Sequence, residues 1–402
     1  MTDATPSVPS LRRHSLDAVL AYAWDAEAFT ASDVMSAVTL TRSTTIDVLD
    51  ELVARGLLVE MPNARAVGEY SKGRPARRFA LRDDAGLVVG VDAGRGHVTA
   101  TVADLRGRAV ATSRLAVDPE RDSPERRRHA AEKVVEATLT RARATRADLV
   151  AICVGVPAPV DREGRSPAHH DGFWERMNPR FVDTFATWAP VVRVENDASL
   201  AAVAERTHGA AVDCDDFVAL LAGERFGAGV WVDGRLLRGA HGGAGETVAF
   251  DRVEGVGSAL GLAPRCVDAA RAAIAGGTVP AGSALADVDP DTLDAKTVLD
   301  LARAGDPGAL AVAAEVGAAL AVVAGMFGSM FDVRRVIISG ALAAGAAPLI
   351  DAAAHTLPDA LDLPAPEIVA SPLGADIVSI GAVAAAIDAA RTRAIDLPPF
   401  AL

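Results

Sequence analysis

Cysteine is nearly absent from this chain. Cys153, Cys214 and Cys266 are scattered among 402 residues. They offer neither a disulfide framework nor the paired spacing of a metal site. An uninterrupted apolar run long enough to cross a bilayer is also missing, which argues against a membrane partner. The opening stretch, MTDATPSVPSLRRHS, lacks the apolar segment of a secretory signal. These absences predict a cytoplasmic protein. What is present is apolar and charged in ordinary proportion, 50% and 23%, which excludes disorder throughout. The length allows roughly two or three domains.

A basic excess is missing too. The net charge of −13 by itself disfavours nucleic acid, because phosphate binding needs local positive charge. The distribution changes that inference. Residues 1–82 hold 10 Lys+Arg and 10 Asp+Glu, so the whole net charge lies beyond them. A neutral first fifth and an acidic remainder suggest two modules, 1–82 and 83–402.

In the first module, Leu16, Val19, Leu20 and Ala23 recur at helical spacing. Thr30-Ala31-Ser32-Asp33 reads as a capping box opening a short helix with Val34, Met35 and Val38 inward. A third helix is expected over 42–54, with Ile46, Leu49, Leu52 and Val53 inward. Its first turn, Arg42, Ser43, Thr44 and Thr45, is polar and expected to face outward. Two short helices behind a support helix describe a helix-turn-helix, whose second helix meets base edges in the major groove. Strands at 57–60 and 77–81 around a glycine-containing loop form a wing. Lys72, Arg74, Arg77, Arg78 and Arg82 lie on it with no acid between them, a pattern suited to phosphates. The predicted DNA contacts are Arg42, Ser43, Thr44, Thr45, Lys72, Arg74 and Arg77.

In the second module, apolar strands alternate with Ala-rich helices, which indicates an α/β fold. Strands at 87–94, 149–157 and 191–197 each end in polar or Gly/Pro residues, where open α/β sheets place their ligands. Residues 307–330 read as a helix whose small side chains permit close packing.

Six ordered segments then carry a resemblance. They are Val91-Asp92-Ala93-Gly94, Gly155-Val156-Pro157-Ala158-Pro159-Val160-Asp161, Glu195-Asn196-Asp197-Ala198, the glycine-rich run from Arg238 to Glu246, Ile338-Ser339-Gly340-Ala341 and Gly381-Ala382-Val383. Together they resemble the ROK family of repressors and sugar kinases. The resemblance covers the whole chain and implies an actin-like, two-lobed fold, a ribonuclease H-like α/β unit duplicated. The lobes would hinge near residues 197 and 385. A winged helix-turn-helix placed in front is similar to the family's repressor branch.

The residues depart from a kinase where phosphate would sit. The family's first loop reads Asp-x-Gly-x-Thr, whereas here it is Asp92-Ala93-Gly94-Arg95-Gly96. The second reads Gly-Thr-Gly-Ile-Gly, whereas here it is Gly223-Glu224-Arg225-Phe226-Gly227. A carboxylate facing ATP phosphates is electrostatically adverse, and an Arg side chain fills space the nucleotide needs. Asp197 matches the kinase base, yet Asn196 and Asp197 equally make a clamp for sugar hydroxyls, which is the preferred reading. Glu246 matches a sugar-binding glutamate, and Asp268 falls near another. His170, or His169, would replace a missing amide contact, and Trp174 is core or pocket wall. Of the zinc-binding cysteines only Cys266 remains, and the family's histidine is absent, so no metal is expected. No cofactor is expected either.

The resemblance therefore implies a regulator, a repressor of the ROK family and not an enzyme. It would bind double-stranded operator DNA and sense a sugar or sugar derivative, as a homodimer or higher homo-oligomer. The alternative is an active ATP-dependent sugar kinase with an added interaction domain.

Overall fold

The protein begins with helix α1 (Val8–Asp25), followed by the two-residue strand β1 (Phe29–Thr30) and helices α2 (Ala31–Ala37) and α3 (Arg42–Ala54). The capping box is made: Asp33 accepts the Thr30 N–H at 2.8 Å, and the Thr30 hydroxyl accepts the Asp33 N–H at 3.4 Å. Thr41 caps α3 in the same way through the Thr44 N–H. Strands β2 (Leu58–Met61) and β3 (Arg78–Leu81) follow, and the sheet order is β1-β3-β2. Strand β1 was not expected. Phe29 anchors it, buried 6.2 Å from the Phe79 ring across the pair. The computed structural model describes residues 8–62, 76–357 and 364–397, so the wing tip with Lys72 and Arg74 lies outside the described residues.

Two helical faces differ from expectation by one position. On α3 the inward residues are Thr45, Val48, Leu49 and Leu52, while Ile46 is exposed. On α2 Val34 is buried and Met35 exposed. In each case the apolar side chain lies one residue further around the helix, on the flank of the face that packs.

The large body contains the same plan twice. Strands β4 (Leu87–Asp92), β5 (His97–Asp104) and β6 (Ala109–Ala116) form an antiparallel meander. Helix α4 (Pro124–Ala142) leads to β7 (Leu149–Val156), short helices α5 (Phe173–Met177) and α6 (Phe181–Phe185), and β8 (Val191–Asn196). Strands β7 and β8 add in parallel beside β4, giving the order β6-β5-β4-β7-β8. Helix α7 (Asp197–His208) then crosses to the second lobe. There β9 (Phe217–Leu221), β10 (Gly227–Val232) and β11 (Arg235–Leu236) repeat the meander. Helices α8 (Leu262–Ala275), α9 (Ala295–Arg303) and α10 (Pro307–Phe331) precede β12 (Arg335–Ser339), helix α11 (Ala347–Thr356) and β13 (Glu367–Ala370). The order β11-β10-β9-β12-β13 mirrors the first sheet. Helix α12 (Ile377–Arg393) returns to the first lobe and packs on β4, β7 and α7.

Helix α10 is the only described helix long and apolar enough to cross a membrane. Here it is a core helix, with Val312, Val316, Leu320, Val323 and Phe327 buried in the second lobe.

The winged helix is docked on this body, not tethered beside it. One apolar core runs from Leu16, Val19 and Leu20 of α1 to Ala389, Ala390, Ala394 and Ile395 at the end of α12. Arginines edge the contact. Arg106 donates to the carbonyls of Trp24 and Ala26 at 2.6 and 2.7 Å. Arg391 pairs with Asp25 at 2.9 Å, and Arg13 pairs with Asp396 at 2.5 Å.

Candidate functional site: a cleft between the lobes

The first sheet delivers its polar residues at one end. Asp92 closes β4 and registers with Gly155 of β7, which in turn registers with Glu195 of β8. Asn196 and Asp197 come next, where β8 turns into α7. Asn196 caps that helix: its side-chain oxygen accepts the Ser199 N–H at 3.0 Å, and its amide donates to the Ala158 carbonyl at 3.2 Å. These bonds tie the loop after β7 to α7 and leave one amide hydrogen for a ligand.

Asp197 accepts the Ala198 N–H at 2.8 Å. Burial raises its carboxyl to about 7, and the charges of Asp92 and Glu246 push the same way against the Ala198 N–H. Asp92 is itself buried, with one carboxylate oxygen 2.8 Å from His97 Nε2. Glu246 arrives from the other lobe, bridged to Gly227 at the start of β10. Desolvation raises its carboxyl, opposed by the positive charges of Arg225 and His169. Asp92, Asp197, Glu246, Arg225 and His169 thus share one electrostatic neighbourhood, although the chain separates them widely.

His169 joins this cluster from the loop before α5. Its ring lies 4.5 Å from Trp174 and 4.2 Å from the exposed His170, and its Nδ1 is 2.5 Å from Asp171. Trp174 is half-buried against the first lobe's core, so it serves as the floor of the His169 loop. The ligand atoms of His169, His170 and Asp171 lie within 4.8 Å of one another, a cluster the sequence reading did not single out. Asp268 is exposed on α8 and makes no hydrogen bond or ion pair among the described residues.

The two altered phosphate loops contact each other. Arg95 of the first donates to Glu224 of the second at 3.1 Å. The first loop is also held from behind: Arg127, fully buried, donates to the carbonyls of Ala93, Gly94 and Arg95 at 3.1, 2.9 and 3.0 Å. Its remaining charge is matched by Asp122 at 2.7 Å. Neither His97 nor Arg127 was legible as a site-shaping residue, because the sequence shows only a lone histidine in a strand and one arginine among several in a helix. Glu224 and Arg225 thus put opposite charges side by side in the second loop, and Glu224 is paired across to the first. A structural zinc does not fit: Cys266 is buried among Leu262 and Ala270 with its thiol pushed up to about 12, and Cys153 and Cys214 lie in a different core.

At the other end of the molecule, Arg42 and Ser43 are exposed at the start of α3, and Thr44 is half-buried. Thr45 is corrected from an outward residue to a buried one: its hydroxyl donates to the Thr41 carbonyl at 2.9 Å. Arg77 is exposed but paired, 2.8 Å from Asp50 and 3.0 Å from Glu60. Asp50 comes from α3 and Glu60 from the opposite wing strand, so neither lies within the basic run from Lys72 to Arg82.

A three-helix unit with a small sheet is mounted on a duplicated, two-lobed α/β body with an acidic cleft. The chain belongs to the ROK family, whose model matches residues 88–389. It is 24% identical over 223 residues to a xylose repressor of Caldicellulosiruptor bescii, a match covering 55% of this chain and 54% of the relative. The chain therefore spans about half the length of that curated relative. It is 30% identical over 244 residues to a glucokinase of Thermotoga maritima, covering 57% of this chain and 76% of the relative. Among solved structures, a ROK family transcriptional regulator described as a homologue of the E. coli MLC protein superposes with a TM-score of 0.73 at 19% identity. That superposition covers 95% of this chain and 97% of the other, and it shows the fold.

Proposed function

We propose that this protein is a cytoplasmic DNA-binding transcriptional regulator, a repressor, whose two-lobed body senses a sugar or sugar derivative. Helix α12 carries the reading. Its first half packs against α7, whose N-terminus holds Asn196 and Asp197, and its end forms one core with α1 of the winged helix. A ligand that closes the lobes about Asp197 and Glu246 changes the seat of the DNA-binding module. Such a ligand shifts DNA affinity only by as much as it prefers one arrangement over the other. Arg42, Ser43 and Thr44, with Lys72, Arg74 and Arg77 of the wing, meet operator DNA. Asn196, Asp197, Glu246 and His169 meet sugar hydroxyls, with His170 and Asp268 outside them. A homodimer would present two winged helices to paired half-sites.

The name of the xylose repressor supports this reading, as does the Arg95–Glu224 contact in place of a phosphate site. A second reading, a sugar kinase, is favoured by the intact Asp197 and the glucokinase relative. ADP formation from ATP over a panel of hexoses and amino sugars separates the two. The regulator reading expects none, whereas turnover abolished by Asp197→Asn would replace it with the kinase.

A further inference from the structure

One cavity lies away from Asp197. It holds about 590 Å³ and opens on the flank where the edge strand of one sheet, β8, faces the edge strand of the other, β11. Its walls come from both lobes and carry four arginines, Arg162, Arg193, Arg235 and Arg238. Two of these are spoken for. Glu195, buried in the wall, takes Arg238 across the lobe boundary through two hydrogen bonds at 3.0 and 3.3 Å, and it pairs with Arg193 at 3.2 Å. Arg193 also reaches Asp388 at 3.3 Å.

Arg162 and Arg235 are different. Both are exposed in the cavity wall, one from each lobe, and neither has a hydrogen bond or ion pair among the described residues. Asp161, next to Arg162, accepts the backbone N–H groups of Glu163 and Arg165 at 3.0 and 2.8 Å and makes no ion pair with it. A single acid in the wall, Glu163, remains uncommitted. Two guanidiniums with no ion-pair partner among the described residues, one from each lobe in the wall of one polar cavity, make a site for an anion with more than one charged oxygen group.

We infer that this flank pocket binds a compact polyanion, a phosphate ester or a polycarboxylate, bridged between Arg162 and Arg235. The occupant would touch both lobes without entering the Asp197 cleft. Its walls lead directly into that cleft: Glu195 precedes Asn196, and Arg238 begins the run that ends at Glu246. The pocket is therefore placed to act as a second effector site. The inference stands on these residues and does not depend on the sugar reading.

Isothermal titration of the full chain with pyrophosphate and with citrate, at matched ionic strength, tests it. Saturable binding of either probe is expected, weakened about tenfold or more in an Arg162→Gln/Arg235→Gln double variant and unchanged in Arg303→Gln, an exposed arginine on α9. Binding of pyrophosphate alone assigns a phosphate ester, and binding of citrate alone assigns a polycarboxylate. Unaltered thermal unfolding of the double variant would show that it folds. Absence of binding by both probes, or equal binding by wild type and double variant, overturns the inference.

Discussion

Gly381 of α12 lies so close to Leu200 of α7 that a Cβ on the glycine would be driven into the Leu200 carbonyl oxygen. The obstacle is backbone, so it cannot rotate away. The two helices that join the ligand cleft to the winged helix thus meet at a distance only glycine allows. Gly381→Ala should destabilise the protein by about 1–3 kcal/mol through overpacking. Denaturant unfolding checks this through a lowered midpoint; an unchanged midpoint would mean the helices are free to separate.

Asp197 gives a pH signature. Its folded carboxyl sits at about 7 against an ordinary 3.8, with burial the main cause. Between those values the folded protein holds a proton that the unfolded chain has released. The associated stability is complete below 3.8 and is lost as pH rises through about 7. Asp197→Asn lacks this dependence. Melting temperatures of the pair, compared across pH 4 to about 8, should therefore show wild type losing ground to the variant as pH rises. Parallel curves would place the carboxyl near its ordinary value.

Arg106 fixes the seat of the winged helix by donating to the Trp24 and Ala26 carbonyls. Removing a charged donor from two such bonds costs about 1.5–3 kcal/mol each. Arg106→Ala should therefore raise hydrogen exchange in α1 and weaken the effect of ligand on DNA affinity. Exchange confined to the loop around residue 106 would show that the apolar core alone holds the module.

At the end proposed to face DNA, exposure separates neighbours. Arg42→Ala should weaken binding and lower the salt slope by about one counterion. Thr45→Val, at a buried position, should leave the slope unchanged. Glu60→Gln frees one side of Arg77 and should tighten salt-sensitive binding. Band-shift titrations at several salt concentrations read all three.

Much of this was legible in the chain. Thr30 and Asp33 announce their helix because capping is local, and the strand ends at Asp92 and Asn196 announce the cleft because apolar runs stop there. What escaped depends on contacts between distant segments. Thr45 and Ile46 exchange places because helix rotation is settled by the packing partner. Arg77 meets Asp50 and Glu60 only when β3 folds back onto β2 and α3. Arg127 reads as one charge among many in α4 until the loop after β4 wraps it. His169, rather than His170, acts on Glu246, and it does so with the Trp174 ring packed against it.

The central claim is that a sugar in the Asp197–Glu246 cleft controls DNA binding by the winged helix. Fluorescence anisotropy of labelled DNA from upstream of the protein's own coding region, titrated with monosaccharides and their derivatives, tests it most directly. The account predicts salt-dependent binding that one of these ligands shifts in wild type and fails to shift in Glu246→Ala. No salt-sensitive binding, or a ligand effect undiminished in Glu246→Ala, would contradict it.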